Sequence, residues 1–251
     1  MIFEALQHLL IPAPKEVKAL GYLREAIAIE ARYARCHTAW ATHLNKCQQH
    51  ILTAAEGLEP GSTVMIIGSG ALHDVPVADL RAHSLILVDI VHLPKIRKRF
   101  QNRPDVQLIE QDVTGLVRSL FFAKEAKPEV VDNLLKVDLV ISLNILSQLP
   151  LNLIKYAGKH HIPLPDDFAG QVMAAHLGML KTLAPHALII GDVARCYYQG
   201  DDLLDKEVAV PDLNLPIPDD QWDWHIAPKG ELDRDISLIH HVACWQITPD
   251  S

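Results

Sequence analysis

Cysteine is sparse in this sequence. Its four cysteines, Cys36, Cys47, Cys196 and Cys244, are scattered, and no two form a CxxC pair. Neither a zinc knuckle nor a disulfide framework is indicated, and a reducing, cytoplasmic setting fits this usage. Long apolar runs are missing too. A membrane span needs about 18 uninterrupted apolar residues, and the longest candidate, Val137 to Leu153, is broken by Asp138, Asn144, Gln148, Pro150 and Asn152. The opening MIFEALQHLL has no basic lead and no small-residue cleavage site, which argues against a secretory signal. Basic excess is also absent. Lys and Arg number 23 against 31 Asp and Glu, a formal net charge of −8. That balance disfavours nucleic acid as a partner, because phosphate-binding surfaces carry a basic footprint. One local run, Lys95, Arg97, Lys98, Arg99 and Arg103, reads as the solvated face of a helix, with a patch for an anionic substrate as the alternative.

What is present is a chain of 251 residues, 49% of them apolar, enough for one sizeable core with or without a small appendage. Residues 15–57 read as helix, with Leu20, Leu23, Ile27 and Ala31, then Trp40, Leu44 and Ile51, recurring at helical steps. Gly57 and Pro60-Gly61 punctuate its end. Residues 1–59 are therefore read as an N-terminal helical extension or lid, and residues 60–251 as the main domain. From residue 62 short apolar runs alternate with helical segments: VMII from Val64, LILV from Leu85, VQLI from Val106, VDLVIS from Val137 and ALII from Ala187. Runs buried on both faces and separated by helices indicate a parallel sheet built from βαβ units. Trp222–Ile226 and Ile236–Ile247 then read as two strands. Their short connection forces antiparallel pairing, since a parallel crossover needs a dozen residues or more. The acidic, proline-rich stretch 200–220 reads as a surface loop.

The chemistry is concentrated at the ends of these runs. Gly68-Ser69-Gly70 follows the first strand directly, where glycine lets a backbone turn sharply and approach a ligand. Asp89 ends the second strand, beside that turn, and a carboxylate there can accept hydrogen bonds from both hydroxyls of a ribose. Nicotinamide and S-adenosylmethionine (SAM) domains share this placement. A dinucleotide fingerprint wants a third glycine where His73 stands, which counts against the nicotinamide cofactor.

VMIIGSG, LILVDI, IEQDVTGL and VDLVISLNILSQLP, in this order, resemble the motifs of the class I SAM-dependent methyltransferases. The resemblance covers roughly residues 60–247. It implies a three-layer α/β Rossmann-like fold whose mostly parallel seven-stranded sheet is closed by an antiparallel C-terminal hairpin. It implies SAM as cofactor, with Gly68, Ser69 and Gly70 at the methionyl part, Asp89 at the ribose, and Asp112 with Val113 around adenine. Asn144 and Gln148 follow the fourth strand and are candidates for the reacting centre, Asn144 also for the cofactor; capping of the loop is the alternative. The first motif departs from the common pattern at Met65 and Leu72, which leaves a catalytically reduced SAM-binding scaffold as a second reading. A nicotinamide-dependent oxidoreductase is a third.

The remaining candidates are weighed singly. His73, His92 and Asp192 are candidates for a general base or for substrate contact, and Arg195, Tyr197 and Tyr198 follow the fifth strand at the edge where ligands sit. Tyr33, His37 and Trp40 share one helix face, as core or as a lid over the cofactor. Fourteen histidines show no ligand spacing with a supporting carboxylate, so no metal is assigned. The acceptor is expected to be a small molecule or a protein side chain.

Overall fold

The computed structural model describes residues 2–131, 133–211 and 213–247. Its sheet contains β1 (Thr63–Ile67), β2 (Ser84–Asp89), β3 (Val106–Glu110), β4 (Leu139–Leu143), β5 (His186–Gln199), β6 (Asp202–Val208), β7 (Asp220–Ala227) and β8 (Ile236–Ile247). The order is β3-β2-β1-β4-β5-β8-β7, with β6 paired to β5 off this path. β1 to β5 pair in parallel, while β8 is antiparallel to both β5 and β7. This is the expected Rossmann-like sheet and terminal hairpin.

Strand alternation sorts side chains into two layers. Val64 and Ile66 face the core that contains Cys36, Trp40, Cys47 and Ile51 of α3 (Tyr22–Ala55) and Ile96 and Phe100 of α4 (Pro94–Phe100). Met65 and Ile67 face the core that contains Met173, Leu177 and Leu180 of α6 (Phe168–Leu183). A third cluster joins Leu20 to Leu153, Tyr156 and Ala157 of α5 (Leu151–Lys159). α1 (Ile2–Leu10) and α2 (Lys15–Ala19) precede α3. The basic run lies on and just after α4, where Lys95, Arg97, Lys98 and Arg99 are exposed. No described helix is long and apolar enough to cross a membrane.

Four expectations need correction. The helix expected over residues 15–57 is broken at Gly21, whose φ of 93° suits glycine, so α2 and α3 are separate. The sheet has eight strands, because part of the expected surface loop pairs with β5 as β6; all seven β6 residues are exposed, so no apolar alternation signalled it. β5 runs on to Gln199, which puts Asp192, Arg195, Tyr197 and Tyr198 within the strand rather than after it. Finally, residues 68–83, between β1 and β2, form turns and no helix. Pro76 interrupts this stretch, Val75, Val77 and Leu80 pack inward from irregular backbone, and α3 covers that face of the sheet instead.

Buried histidines are expected to make this fold acid-sensitive. His176 on α6 sits 2.9 Å from the Ser142 hydroxyl through Nε2, and burial holds it down at about 4. An unfolded histidine titrates near 6.5, so the unfolded chain takes up the proton first as pH falls. The stabilisation is therefore whole above about pH 6.5 and is lost toward about pH 4, by up to about 1.4 kcal/mol per pH unit. His43, at about 3, and His240, at about 4, act in the same direction. Denaturant titrations at pH 7, 6 and 5 should show a steep loss in the wild type and a shallower one in His176→Gln. Equal slopes would contradict this account.

Candidate active site

Strand order reverses between β1 and β4, and the crevice at the carboxyl ends of such strands is where open α/β sheets place ligands. Gly68 leaves β1 with φ 84° and Gly70 follows with φ 49°, both in the left-handed region. The N–H groups of Gly68 and Ser69 donate to the Val88 carbonyl at 2.9 and 3.2 Å, which ties the turn to the tip of β2. Asp89 closes the link: its Oδ2 accepts from Gly70 N–H at 2.7 Å and its Oδ1 from Ile90 N–H at 2.8 Å. Burial pushes the Asp89 carboxyl up, opposed by His92 and by the N–H groups of Gly70, Val91 and Ile90. Oδ2 still has a lone pair for a hydroxyl donor, and Oδ1 has a second, long contact from Val91 N–H at 3.5 Å that a hydroxyl donor could replace.

Gly68, Asp89, Asp112, Val113 and Gln148 line one cleft of about 150 Å³, together with Tyr22 and Ile145. Five of the residues proposed from sequence thus meet in one space. Asp112 also builds its own loop: Oδ1 accepts from the Thr114 N–H and hydroxyl, and Oδ2 from Val117 N–H at 2.8 Å. The Tyr22 hydroxyl, pushed up by burial and by Asp112, keeps its proton. The cleft is narrow in front of Gly68, where Ile145 packs so closely that a Cβ on Gly68 would lie 2.0 Å from Ile145 Cγ2.

Other candidates lie elsewhere. The buried Ser69 hydroxyl pairs with His92 Nε2 at 3.2 Å, the His92 backbone N–H donates to Glu110, and neither side chain lines the cleft. His73 stacks on Tyr33 at 3.4 Å and lies 3.0 Å from Glu30, against α3, and Trp40 is core. Tyr22, at the start of α3, is the aromatic side chain in the cleft. Only its position just after a glycine could have signalled it.

Asp192 stands behind the cleft. It accepts from the Ser147 hydroxyl at 2.5 Å, from Gln148 Nε2 at 3.2 Å and from Arg195 Nε at 2.9 Å. Although burial alone would raise it, His240, Arg195 and Ser147 hold its carboxyl below the usual range. Gln148 is the one member of this group that lines the cleft.

Asn144 turns its amide away from the cleft. Its Nδ2 lies 2.8 Å from Asp74 Oδ2 and 3.2 Å from His43 Nε2, while its buried Oδ1 has no partner. His43, Cys47 and Asp74 offer ligand atoms within 4.8 Å of one another. The Trp222 N–H, however, donates to His43 Nδ1 at 3.0 Å, which leaves the proton of the neutral ring on Nε2, the atom a metal would need. The group is a hydrogen-bonded network. Burial pushes Asp74 up to about 6, so below that pH a protonated Asp74 can donate to the Asn144 oxygen once the amide turns.

No protein-family model matches the chain, and no curated protein matches it. Solved structures similar to it include the 1,6-didemethyltoxoflavin N1-methyltransferase of Burkholderia thailandensis, with bound S-adenosylhomocysteine. Identity is 15%, coverage 93% of this chain and 91% of that one, and TM-score 0.44. The magnesium protoporphyrin IX methyltransferase of Synechocystis, with bound SAM, is 14% identical over 80% of this chain and 79% of that one, at TM-score 0.39. A protein from Rhodobacter sphaeroides described as a Zn-dependent alcohol dehydrogenase is 15% identical at TM-score 0.35. The match covers 56% of this chain, which spans 44% of that protein's length. Likeness at this level assigns no residue a role, and the fold rests on the strand order itself.

Proposed function

We propose that the protein binds SAM in the crevice between the Gly68 turn and Asp89 and transfers its methyl group to a small molecule or a protein side chain. One observation carries this reading: the Asp89 carboxylate, anchored to the glycine turn by Gly70 N–H at 2.7 Å, shares a cleft with Gly68, Asp112, Val113 and Gln148. A second observation counts against a dinucleotide. Pyrophosphate binds at the N-terminus of the helix that follows such a turn, and among the described residues no helix follows Gly68–Gly70 before β2.

The residues fit the cofactor as follows. Asp89 would accept both ribose hydroxyls. Val113 and Ile90 would flank adenine, and the second lone pair of Asp112 Oδ2 would face its amine. When bound, SAM supplies a methyl group already activated on a sulfonium, so the protein mainly has to align the acceptor. Gln148 takes that part: its amide N–H groups are held by Ser147 and Asp192 at 3.0 and 3.2 Å, which fixes its carbonyl as an acceptor. Asp192 acts through Gln148 as a positioning residue. A full SAM molecule is larger than the 150 Å³ cleft, so Tyr22, Ile145 and Leu149 must part to admit it. The four buried free cysteines suit a cytoplasmic setting.

Calorimetric titration with S-adenosylhomocysteine and with NAD tests this reading: binding of the first and not the second supports it, and the reverse defeats it. With an identified acceptor, Gln148→Ala should lower kcat about 10-fold, the worth of one or two lost hydrogen bonds. S-adenosylhomocysteine affinity should stay unchanged. The scaffold reading is favoured by the packing of Ile145 against Gly68, and stabilisation by SAM without turnover on any candidate acceptor would establish it.

A further inference from the structure

A second and larger cavity, about 590 Å³, lies next to the donor cleft and is distinct from it. Leu20 and Gly21 line the larger cavity while the next residue, Tyr22, lines the cleft; Lys155, Tyr156 and Lys159 of α5 line the cavity while Gln148 and Leu149, just before α5, line the cleft. Leu20, Leu153 and Tyr156 are buried together with Leu149 and Tyr22 packed on them, so packed side chains separate the two. The cavity has the size of a small-molecule site, roughly 300–1,000 Å³.

Its charged lining is basic. Among the described residues His8, Lys18, Arg24, Lys155 and Lys159 contribute to it and no carboxylate does, in a chain whose net charge is −8. Among the described residues Lys18, Lys155 and Lys159 form no ion pair, and Arg24 only approaches Glu25 at 3.8 Å. On α3 and α4, Arg32, Lys46, Lys95 and Arg97 are each matched by a carboxylate, while Lys98 and Arg99 form no ion pair among the described residues. The Tyr156 hydroxyl accepts from Lys124 Nζ at 2.7 Å, which leaves its own hydrogen to donate. Partial desolvation, with the charges of Lys124, Lys159 and His161, holds the neighbouring His160 down, as a positive local field would. Helix dipoles account for His8, Lys18 and Lys159, each in the last turn of its helix, and not for Arg24 in the first turn of α3 or Lys155 in the middle of α5.

We propose that this cavity binds a small molecule through its phosphate or carboxylate groups. A concave space with four flexible cations and a hydroxyl donor suits several anionic oxygens at once. The site stands independently of the methyl-donor reading.

Pyrophosphate and citrate are the probes, titrated calorimetrically into the full chain at low ionic strength. At least one should bind saturably, and the tighter of the two identifies the anion type. Lys155→Glu/Lys159→Glu should weaken that binding at least about 10-fold, through loss and reversal of two charge-assisted contacts. Lys155→Arg/Lys159→Arg should keep it. Lys98→Glu/Arg99→Glu, the same charge change on α4, should leave it unaltered. No saturable binding of either probe, or equal weakening by the two charge-reversed pairs, overturns the proposal. Circular dichroism and the melting transition confirm folding of each variant. A chain that binds pyrophosphate but not S-adenosylhomocysteine refutes the donor reading and leaves this one intact.

Discussion

Asp89→Ala is expected to weaken S-adenosylhomocysteine binding by two orders of magnitude or more. Two hydrogen bonds from ribose hydroxyls to an ionised carboxylate are each worth about 1.5–3 kcal/mol, and about 1.4 kcal/mol is a tenfold change in affinity. The substitution also releases the Gly70 and Ile90 N–H groups that the carboxylate holds at 2.7 and 2.8 Å, so the glycine turn loses its tie to β2 through this side chain. Asp89→Asn separates these effects. An asparagine oxygen can accept one hydroxyl, but its amide N–H cannot accept from Gly70, and about 10-fold weakening is expected. Calorimetry on the three proteins checks the series. Affinities within about threefold of one another would show that the ligand does not use this carboxylate.

Gly68→Ala is expected to cost about 3 kcal/mol or more of stability, from strain at positive φ and from overlap. A Cβ there would stand 2.0 Å from Ile145 Cγ2 and 2.5 Å from the Leu143 carbonyl oxygen, at φ 84°. For a chain of this length that corresponds to a fall in melting temperature of about 6 °C or more. Adding Ile145→Ala removes the side-chain overlap but neither the carbonyl contact nor the φ strain, so the double variant should recover only part of the loss. Gly57→Ala, where nothing lies within 4 Å of the new Cβ, should melt near the wild type. An unchanged melting temperature for Gly68→Ala would contradict the packing of the turn described here.

The sheet was legible because its signal is local. Val64–Ile67, Leu85–Val88 and Leu139–Leu143 are buried on both faces, apolar but for Ser142, and end in turn residues or polar side chains. The terminal hairpin followed from one short connection. What stayed hidden depends on distant partners. β6 buries no face, and its pairing with β5 is a backbone ladder. The missing helix after β1 reflects α3, a segment remote in sequence, occupying the sheet face that such a helix would cover. At the site, Asp89 could be placed from its strand end alone. Asn144 and His73 could not, because their side chains are turned aside by Asp74, His43, Glu30 and Tyr33 from other parts of the chain. Asp192 was found by its neighbourhood, but its ties to Ser147 and Gln148 come from how two strand ends meet.

A crystal structure of the protein soaked with S-adenosylhomocysteine is the most direct measurement. The expected result is both ribose hydroxyls within hydrogen-bond reach of the Asp89 carboxylate, adenine against Val113, and the sulfur facing Gln148, with Ile145 displaced from its place over Gly68. Ligand bound away from the β1–β2 tips, or a crevice that stays closed at saturating ligand, would contradict it.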